Sequence, residues 1–81
     1  MALNTTRYFK EDVMLKRPYL KAEWCEEAIM SPDEKTLQDD GRIRYYKYIE
    51  EVQRFLRVLT LADGQTVHNA FFDRRYKPVK H

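Results

Sequence analysis

Residues 42–75 read RIRYYKYIEEVQRFLRVLTLADGQTVHNAFFDRR and have the clearest structural pattern in the chain. Apolar and polar side chains alternate along it with a period of two, and turn residues interrupt the alternation at short intervals. A period of two is typical of strands with one buried face. The pattern predicts three strands and two short connections: strands 42–49, 54–61 and 66–72, with connections at 50–53 and at Asp63-Gly64.

The first third of the chain has helical patterns instead. Thr5 or Thr6 is a candidate N-cap for a helix that runs to about Arg17, where Pro18 ends it. A second helix is indicated by one apolar face, and Ser31-Pro32-Asp33 ends it. The residues of that face are Leu20, Trp24, Cys25, Ala28 and Ile29.

A short additional strand is predicted over 35–38, followed by a turn at Asp39-Asp40-Gly41. The predicted fold is therefore α+β, with two N-terminal helices packed on one face of a three- to four-stranded antiparallel β-sheet in an α-α-β-β-β-β meander. The 81 residues form one domain, 1–81, with 77–81 as a frayed tail. A chain of this size buries about 60% of the surface that it exposes when unfolded.

Composition excludes several classes of function. The chain is 43% hydrophobic and 35% charged, and it has no apolar run of the roughly 20 residues that a membrane span needs. Residues 1–6 do not have the pattern of a signal peptide. The single cysteine, Cys25, cannot form an internal disulfide and is expected to pack on a helix, which favours the cytoplasm.

Cofactor and metal motifs are missing from the sequence. Both glycines, Gly41 and Gly64, are predicted in turns, so the chain has no glycine-rich phosphate loop. Cys25, His68 and His81 do not have the spacing of metal ligands. We expect neither a cofactor nor a metal.

Charge is distributed unevenly along the chain. Residues 1–34 carry five Lys and Arg against seven Asp and Glu, a net −2, whereas residues 42–81 carry nine against four, a net +5. A basic strand half points to an acidic partner, either nucleic acid or protein, although surplus charge on a small domain also serves solubility.

The strand register predicts which side chains share a face. If Ala62 pairs with Gln65, Leu59 lies opposite His68; if Ile49 pairs with Arg54, Tyr46 lies opposite Arg57. One face then collects Arg42, Arg44, Tyr46, Tyr48, Arg57 and His68. The other, under the helices, collects Ile43, Tyr45, Ile49, Leu56, Val58, Val67 and Phe71. A one-residue bulge would scatter the first set.

This predicted face has the parts for metal-independent cleavage of RNA by its own 2′-hydroxyl. Arg57 and His68 are the candidate catalytic residues, because an arginine stabilises phosphate charge and an imidazole transfers protons near neutral pH. The candidate substrate-binding residues are Arg42, Arg44, Tyr46, Tyr48 and Arg74. Structural roles stay open: a hydrogen bond for His68, cross-strand packing for the tyrosines, and salt links at the end of the last strand for Arg74 and Arg75.

Four segments carry a family resemblance: Ser31-Pro32-Asp33-Glu34, residues 40–45, Tyr48-Ile49-Glu50-Glu51 and residues 54–58. With the order helix, helix, meander, the chain from about Arg7 to Phe72 resembles a bacterial domain family related to the BrnT and RelE-type toxins of toxin–antitoxin pairs. The resemblance implies an α+β fold and messenger RNA cleavage, in some members on the ribosome, from a concave sheet face, with a cognate antitoxin as partner. On that face it matches Arg57 and His68, supported by Arg44, Tyr46 and Arg74.

The sequence is therefore compatible with three functions. The first is a toxin-like endoribonuclease acting on RNA or the ribosome. The second is a non-catalytic module that binds RNA or an acidic protein through the same face. The third is an interaction domain that forms a homodimer through an exposed sheet edge or aromatic residues.

Overall fold

The computed structural model describes residues 4–77. The first helix, α1, joins a π-helical segment, Phe9–Val13, to the α-helical Met14–Lys16, and α2 spans Ala22–Met30. Four strands follow: β1 Glu34–Leu37, β2 Ile43–Ile49, β3 Arg54–Thr60 and β4 Val67–Phe72. Of the predicted tail 77–81, only Lys77 falls within the described residues.

The strands form one antiparallel sheet in the order β1-β2-β3-β4. A short extended segment before α1 continues this sheet beyond β4. Thr5 makes a parallel bridge with Val67, whose N–H donates to the Asn4 carbonyl at 2.8 Å and whose carbonyl accepts from the Thr6 N–H at 2.9 Å. The outer edge of β4 is thereby partly paired, and β1 lies at the opposite edge of the sheet.

The core lies between the helices and one face of the sheet. α2 contacts β2 and β3, and α1 contacts β4. The predicted cap is confirmed at Thr6, whose hydroxyl accepts the Phe9 N–H at 3.1 Å. The buried cluster comprises Phe9, Val13, Leu20, Trp24, Cys25, Ala28, Tyr45, Ile49, Leu56, Val58, Val67 and Ala70.

The fold prediction is confirmed in its α+β class and in its four-stranded antiparallel sheet. The helix arrangement agrees only in part, because α1 is short and opens with a π-helical turn. No helix among residues 4–77 is long and apolar enough to cross a membrane.

The predicted register between β2 and β3 is confirmed. Ile49 pairs with Arg54 and Tyr46 pairs with Arg57, without interruption along the two strands. Opposite residues share a face, so Arg44, Tyr46 and Tyr48 lie on the same side of the sheet as Arg57. That side is the one away from the helices, and we call it the open face.

The predicted register between β3 and β4 is wrong beyond the turn. Thr60 pairs with Val67 as expected, but a bulge at His68 shifts the pairing by one residue. Leu59 therefore lies opposite Asn69, and Arg57 lies opposite Phe71. The bulge lets Val67 and Ala70, which are both completely buried, point into the same core.

Two aromatic positions change sides as a result. Phe71, predicted under the helices, lies on the open face opposite Arg57. Phe72, which the predicted pairing of β3 with β4 would place opposite Phe55 on the open face, packs towards the helices, with its ring centroid 5.8 Å from that of Trp24 and 6.0 Å from that of Tyr19.

Candidate functional site

The open face carries a continuous aromatic cluster that the alternation of β2 and β3 builds. The Tyr48 ring meets Phe55 edge to face at 5.2 Å, and Phe55 meets Tyr76 in the same way at 4.9 Å. The Tyr76 ring lies flat on Tyr46, with centroids 4.0 Å apart and an interplanar angle of 10°. Tyr48, with 39% of its surface exposed, is the most accessible of the three tyrosines that the sheet and tail contribute here.

Tyr76 reaches this position because the chain turns back over the sheet after β4. The Asp73 N–H donates to the Phe55 carbonyl at 3.0 Å. The Asp73 side chain then accepts the N–H groups of Arg75 and Tyr76, at 2.9 and 3.2 Å. An aspartate that binds the following backbone amides fixes a tight turn, so the residues after β4 fold onto the open face.

The hydroxyl of Tyr76 donates to Glu34 Oε1 at 2.9 Å, which ties the turn to the start of β1. Burial, followed by the hydrogen bond and charge of Glu34, raises the pKa of Tyr76 to about 12. The phenol is therefore protonated at neutral pH and acts as a hydrogen-bond donor.

Arg57 occupies the centre of the open face. Its guanidinium carbon lies 5.1 Å from the centroid of the Phe71 ring, a cation–π arrangement that opposite strand positions produce. Its Nη1 is 3.7 Å from Asp73 Oδ2, with side-chain exposures of 23% and 16% for Arg57 and Asp73. This separation is an ion pair but is too long for a hydrogen bond.

Arg57 also has an unused donor. Its Nε is buried and finds no hydrogen-bond partner within residues 4–77. A buried polar group without a partner costs about 1–3 kcal/mol. The buried Nε is therefore a local cost to the fold, and a ligand would meet the 23% of the Arg57 side chain that is exposed.

A basic depression of about 590 Å³ adjoins Arg57. Three arginines and one aspartate supply its charges, so it has an excess of positive charge. Its lining residues are Arg57, Phe71, Phe72, Asp73, Arg74 and Arg75. Of the predicted binding residues, Arg74 is thus brought next to Arg57.

The two other predicted arginines, Arg42 and Arg44, lie at the start of β2, away from the depression at Arg57. Arg44 lines a second depression, of about 400 Å³, with Asp39 and Asp40. Arg42 precedes β2, and its Nε is 3.8 Å from Asp40 Oδ2. Carboxylates accompany both cations, so this end of the face is less favourable for an anion than the depression at Arg57.

His68 is not joined to Arg57 by the register that predicted their proximity. It is the bulged residue, and its Nδ1 lies 3.1 Å from the Thr6 hydroxyl oxygen. Its ring also lies 5.1 Å from that of Tyr8. The same Thr6 oxygen accepts the Phe9 N–H, so the imidazole of His68 packs against the start of α1. A catalytic role for His68 stays a prediction.

Sequence reasoning missed the contribution of the chain after β4. Asp73 and Tyr76 were not among the candidates, although Asp73-Arg74-Arg75-Tyr76 has the aspartate-led pattern of a turn. Glu34 and Phe71 were missed for a different reason, because their places on the open face depend on the pairing of β1 and on the bulge in β4.

Other reactive groups do not form a second centre. No cluster of three or more His, Cys, Asp or Glu residues suited to a metal occurs within residues 4–77. Cys25 is completely buried, and this burial raises the pKa of its thiol to about 12, so it is an unreactive core residue.

Comparisons with protein-family models, with curated proteins and with solved structures find no match.

Proposed function

We propose that this protein binds single-stranded RNA on its open face. The observation that carries the proposal is the juxtaposition of the aromatic cluster with Arg57, a partly exposed arginine whose ion pair with Asp73 is long. Proteins that bind single strands combine aromatic platforms for the bases with cations for the backbone.

The two parts of the face take different parts of the ligand. Arg57, Arg74 and Arg75 bind phosphate oxygens in the basic depression that they line. Phe55 lines a neighbouring depression that shares Asp73 and Arg74 with this one, and Tyr48 packs against Phe55. These two rings offer surface to unpaired bases. Stacking contributes about 1–3 kcal/mol per base and tolerates any base, so affinity here does not require sequence recognition.

Binding is tested by fluorescence anisotropy with a labelled single-stranded RNA octamer at several salt concentrations. Three phosphate contacts give a log–log salt slope of about −2, and loss of one contact reduces that slope by about 0.7. Arg57→Gln should weaken binding and lower the slope. The matched control is Arg7→Gln, which removes the same charge from an exposed arginine paired with Glu11 at 3.2 Å. Equal effects of the two variants would reduce the interaction to non-specific charge attraction and reject the site.

A second candidate is a toxin-like, metal-independent endoribonuclease that uses the same face. It is favoured by the combination of a cation, Arg57, with a phenol, Tyr48, on one RNA-accessible surface and by the resemblance to the BrnT and RelE-type toxins. Wild-type protein should then cleave RNA in the presence of a chelator, and Arg57→Gln should abolish cleavage. The effect of His68→Ala decides whether the imidazole contributes. Binding without cleavage by the wild type would reject this candidate.

The proposed compartment is the cytoplasm, where the lone Cys25 stays reduced and RNA is available. The proposed partners are RNA or the ribosome, with a cognate antitoxin for the ribonuclease candidate. Homodimerisation through the β1 edge is the alternative for an interaction domain, and a monomeric mass by light scattering at high concentration would reject it.

A further inference from the structure

The Tyr76 side chain packs flat on the open face and is bound there by residues of the sheet. Its ring covers Tyr46 at 4.0 Å with an angle of 10°, and the edge of Phe55 closes one side at 4.9 Å. Tyr46 is consequently only 7% exposed. The Tyr76 slot, meaning the space bounded by Tyr46, Phe55 and Glu34, is therefore a ring-binding site that the protein fills with its own side chain.

The polar wall of the slot is a carboxylate. Glu34 lies opposite Tyr46 on the neighbouring strand and accepts the Tyr76 hydroxyl through Oε1. A carboxylate has two oxygens and only accepts hydrogen bonds. A single phenol O–H uses one of these oxygens, so a ring with two adjacent donors would match the wall better than Tyr76 does.

Among the RNA bases, guanine has this edge. Its N1–H and exocyclic N2–H₂ point in the same direction and can bind both oxygens of one carboxylate. Adenine, cytosine and uracil each place an acceptor next to their donor on the corresponding edge, and that acceptor would face the negative charge of Glu34. A correct bidentate contact discriminates between bases by about 5- to 150-fold in affinity.

The slot lies next to the proposed phosphate site. Asp73 links them directly, because it accepts the Tyr76 N–H at 3.2 Å and its carboxylate is 3.7 Å from the Arg57 Nη1. A phosphate at Arg57 competes with this ion pair, which contributes to the turn that holds Tyr76. Binding of an RNA phosphate at Arg57 therefore makes release of the Tyr76 ring easier, and release of the ring makes phosphate binding easier.

We propose that the Tyr76 slot binds a guanine base of single-stranded RNA, which stacks on Tyr46, donates its N1–H and N2–H to Glu34, and displaces the Tyr76 ring. This inference rests on the proposed RNA-binding function and adds base selectivity to it. Tyr76 acts as an internal competitor, so its removal strengthens binding of RNA that contains guanine.

The test compares two labelled octamers of uridines that carry one central guanine or one central adenine. Tyr76→Ala should bind the guanine octamer at least about fivefold more tightly than the adenine octamer and more tightly than the wild type does. Tyr76→Phe keeps the ring but loses the bond to Glu34, so it should show a smaller gain in the same direction. Circular dichroism confirms that each variant is folded.

The variant Glu34→Gln tests whether the Glu34 carboxylate causes the preference for guanine. Its amide oxygen still accepts, but its NH₂ group opposes the second guanine donor, so the preference should fall within about twofold in the Tyr76→Ala background. Arg57→Gln should instead weaken both octamers equally. RNA binding by Tyr76→Ala or Tyr76→Phe without preference for guanine would overturn the guanine site and leave the proposed function standing. No binding of either octamer by the wild type and both variants would overturn the proposed function, and the guanine site with it.

Discussion

The hairpins β2–β3 and β3–β4 share a strand but differ in regularity. β2 and β3 pair without interruption, from Ile43 opposite Thr60 to Ile49 opposite Arg54. The bulge at His68 instead shifts β4 against β3 by one residue. The regular hairpin places the tyrosines and Arg57 on one face. The irregular hairpin removes His68 from that alternation and puts Phe71 under the guanidinium of Arg57.

Burial and a third segment, not the turn, set the register of β4. The turn itself is well fixed, because Asp63 Oδ1 accepts the N–H groups of Gln65 and Thr66 at 2.9 Å each. Val67, at the start of β4, gives both its backbone groups to the segment before α1. With Val67 fixed there, only an extra residue allows Ala70 to reach the core as well.

The largest loss of stability is expected when a charge is placed at Ala70 rather than at its neighbour Asn69, because the bulge puts these residues on opposite faces of the sheet. Ala70 is completely buried and Asn69 pairs with Leu59 on the open face. Ala70→Asp buries an unpaired charge and should lower the free energy of unfolding by about 3–5 kcal/mol or prevent folding. Asn69→Asp introduces the same charge and should cost less than about 1 kcal/mol. Urea denaturation measures both, and the reverse ranking would mean that β4 is paired without the bulge.

A smaller effect is expected in the turn of β3–β4. Gly64 has a φ of +72°, and an added Cβ would lie 3.3 Å from the Tyr45 hydroxyl, which donates to the Gly64 carbonyl at 3.0 Å. Gly64→Ala should cost about 1–3 kcal/mol through strain at positive φ. In the β1–β2 turn, Gly41 at φ +90° has looser surroundings, with Ala62 Cβ at 3.5 Å, so Gly41→Ala should cost less in the same urea titration. Equal losses would show that the Tyr45 contact is unimportant.

The same turn should contribute a pH dependence. Hydrogen bonds from the Thr66 hydroxyl and from the Thr66 and Gln65 amides lower the pKa of Asp63 from its usual 3.8. Because the folded pKa is lowered, the stabilisation is present above 3.8 and is lost as the pH falls through the folded value. Thermal unfolding between pH 7 and pH 2 should therefore show a shallower acid loss for Asp63→Asn than for the wild type. Identical profiles would contradict this role of Asp63.

The smallest effect is expected in the β2–β3 connection. Gln53 has a φ of 53° and is a non-glycine residue in the left-handed region. Gln53→Gly relieves that strain but increases the entropy of the unfolded chain, so the net change should stay within about 1 kcal/mol of the wild type. Urea denaturation should thus rank Gln53→Gly below Gly64→Ala in magnitude. A larger loss for Gln53→Gly would mean that the glutamine side chain supports this hairpin.

The features of the fold that depend on neighbouring residues in the chain could be predicted from the sequence. The α+β class, the four strands, the Thr6 cap and the β2–β3 register follow from periodicity and turn residues. The bulge at His68 depends on the distant partner segment at Asn4 to Thr6, so no local pattern contains it. The return of Tyr76 to Tyr46 and Glu34 depends likewise on contacts far apart in the chain.

The predicted placement of the candidate residues on the sheet agrees with the structure in one hairpin and differs in the other. Arg44, Tyr46, Tyr48 and Arg57 share the open face because they belong to the regular hairpin. His68 belongs to the irregular one, and a single extra residue gives it other neighbours, Thr6 and Tyr8. Alternation is informative only while pairing is unbroken.

RNA binding on the open face is tested residue by residue in a ¹H–¹⁵N NMR titration of the whole chain with a single-stranded RNA octamer. RNA bound on the open face should shift the amide signals of Arg57, Phe71 and Asp73 most strongly and move Tyr76 with them. Signals of α2, Ala22–Met30, on the opposite side of the sheet, should change little. Saturable shifts confined to the open face are the predicted result, and shifts centred on α2, or none at all, would show that the open face does not bind RNA.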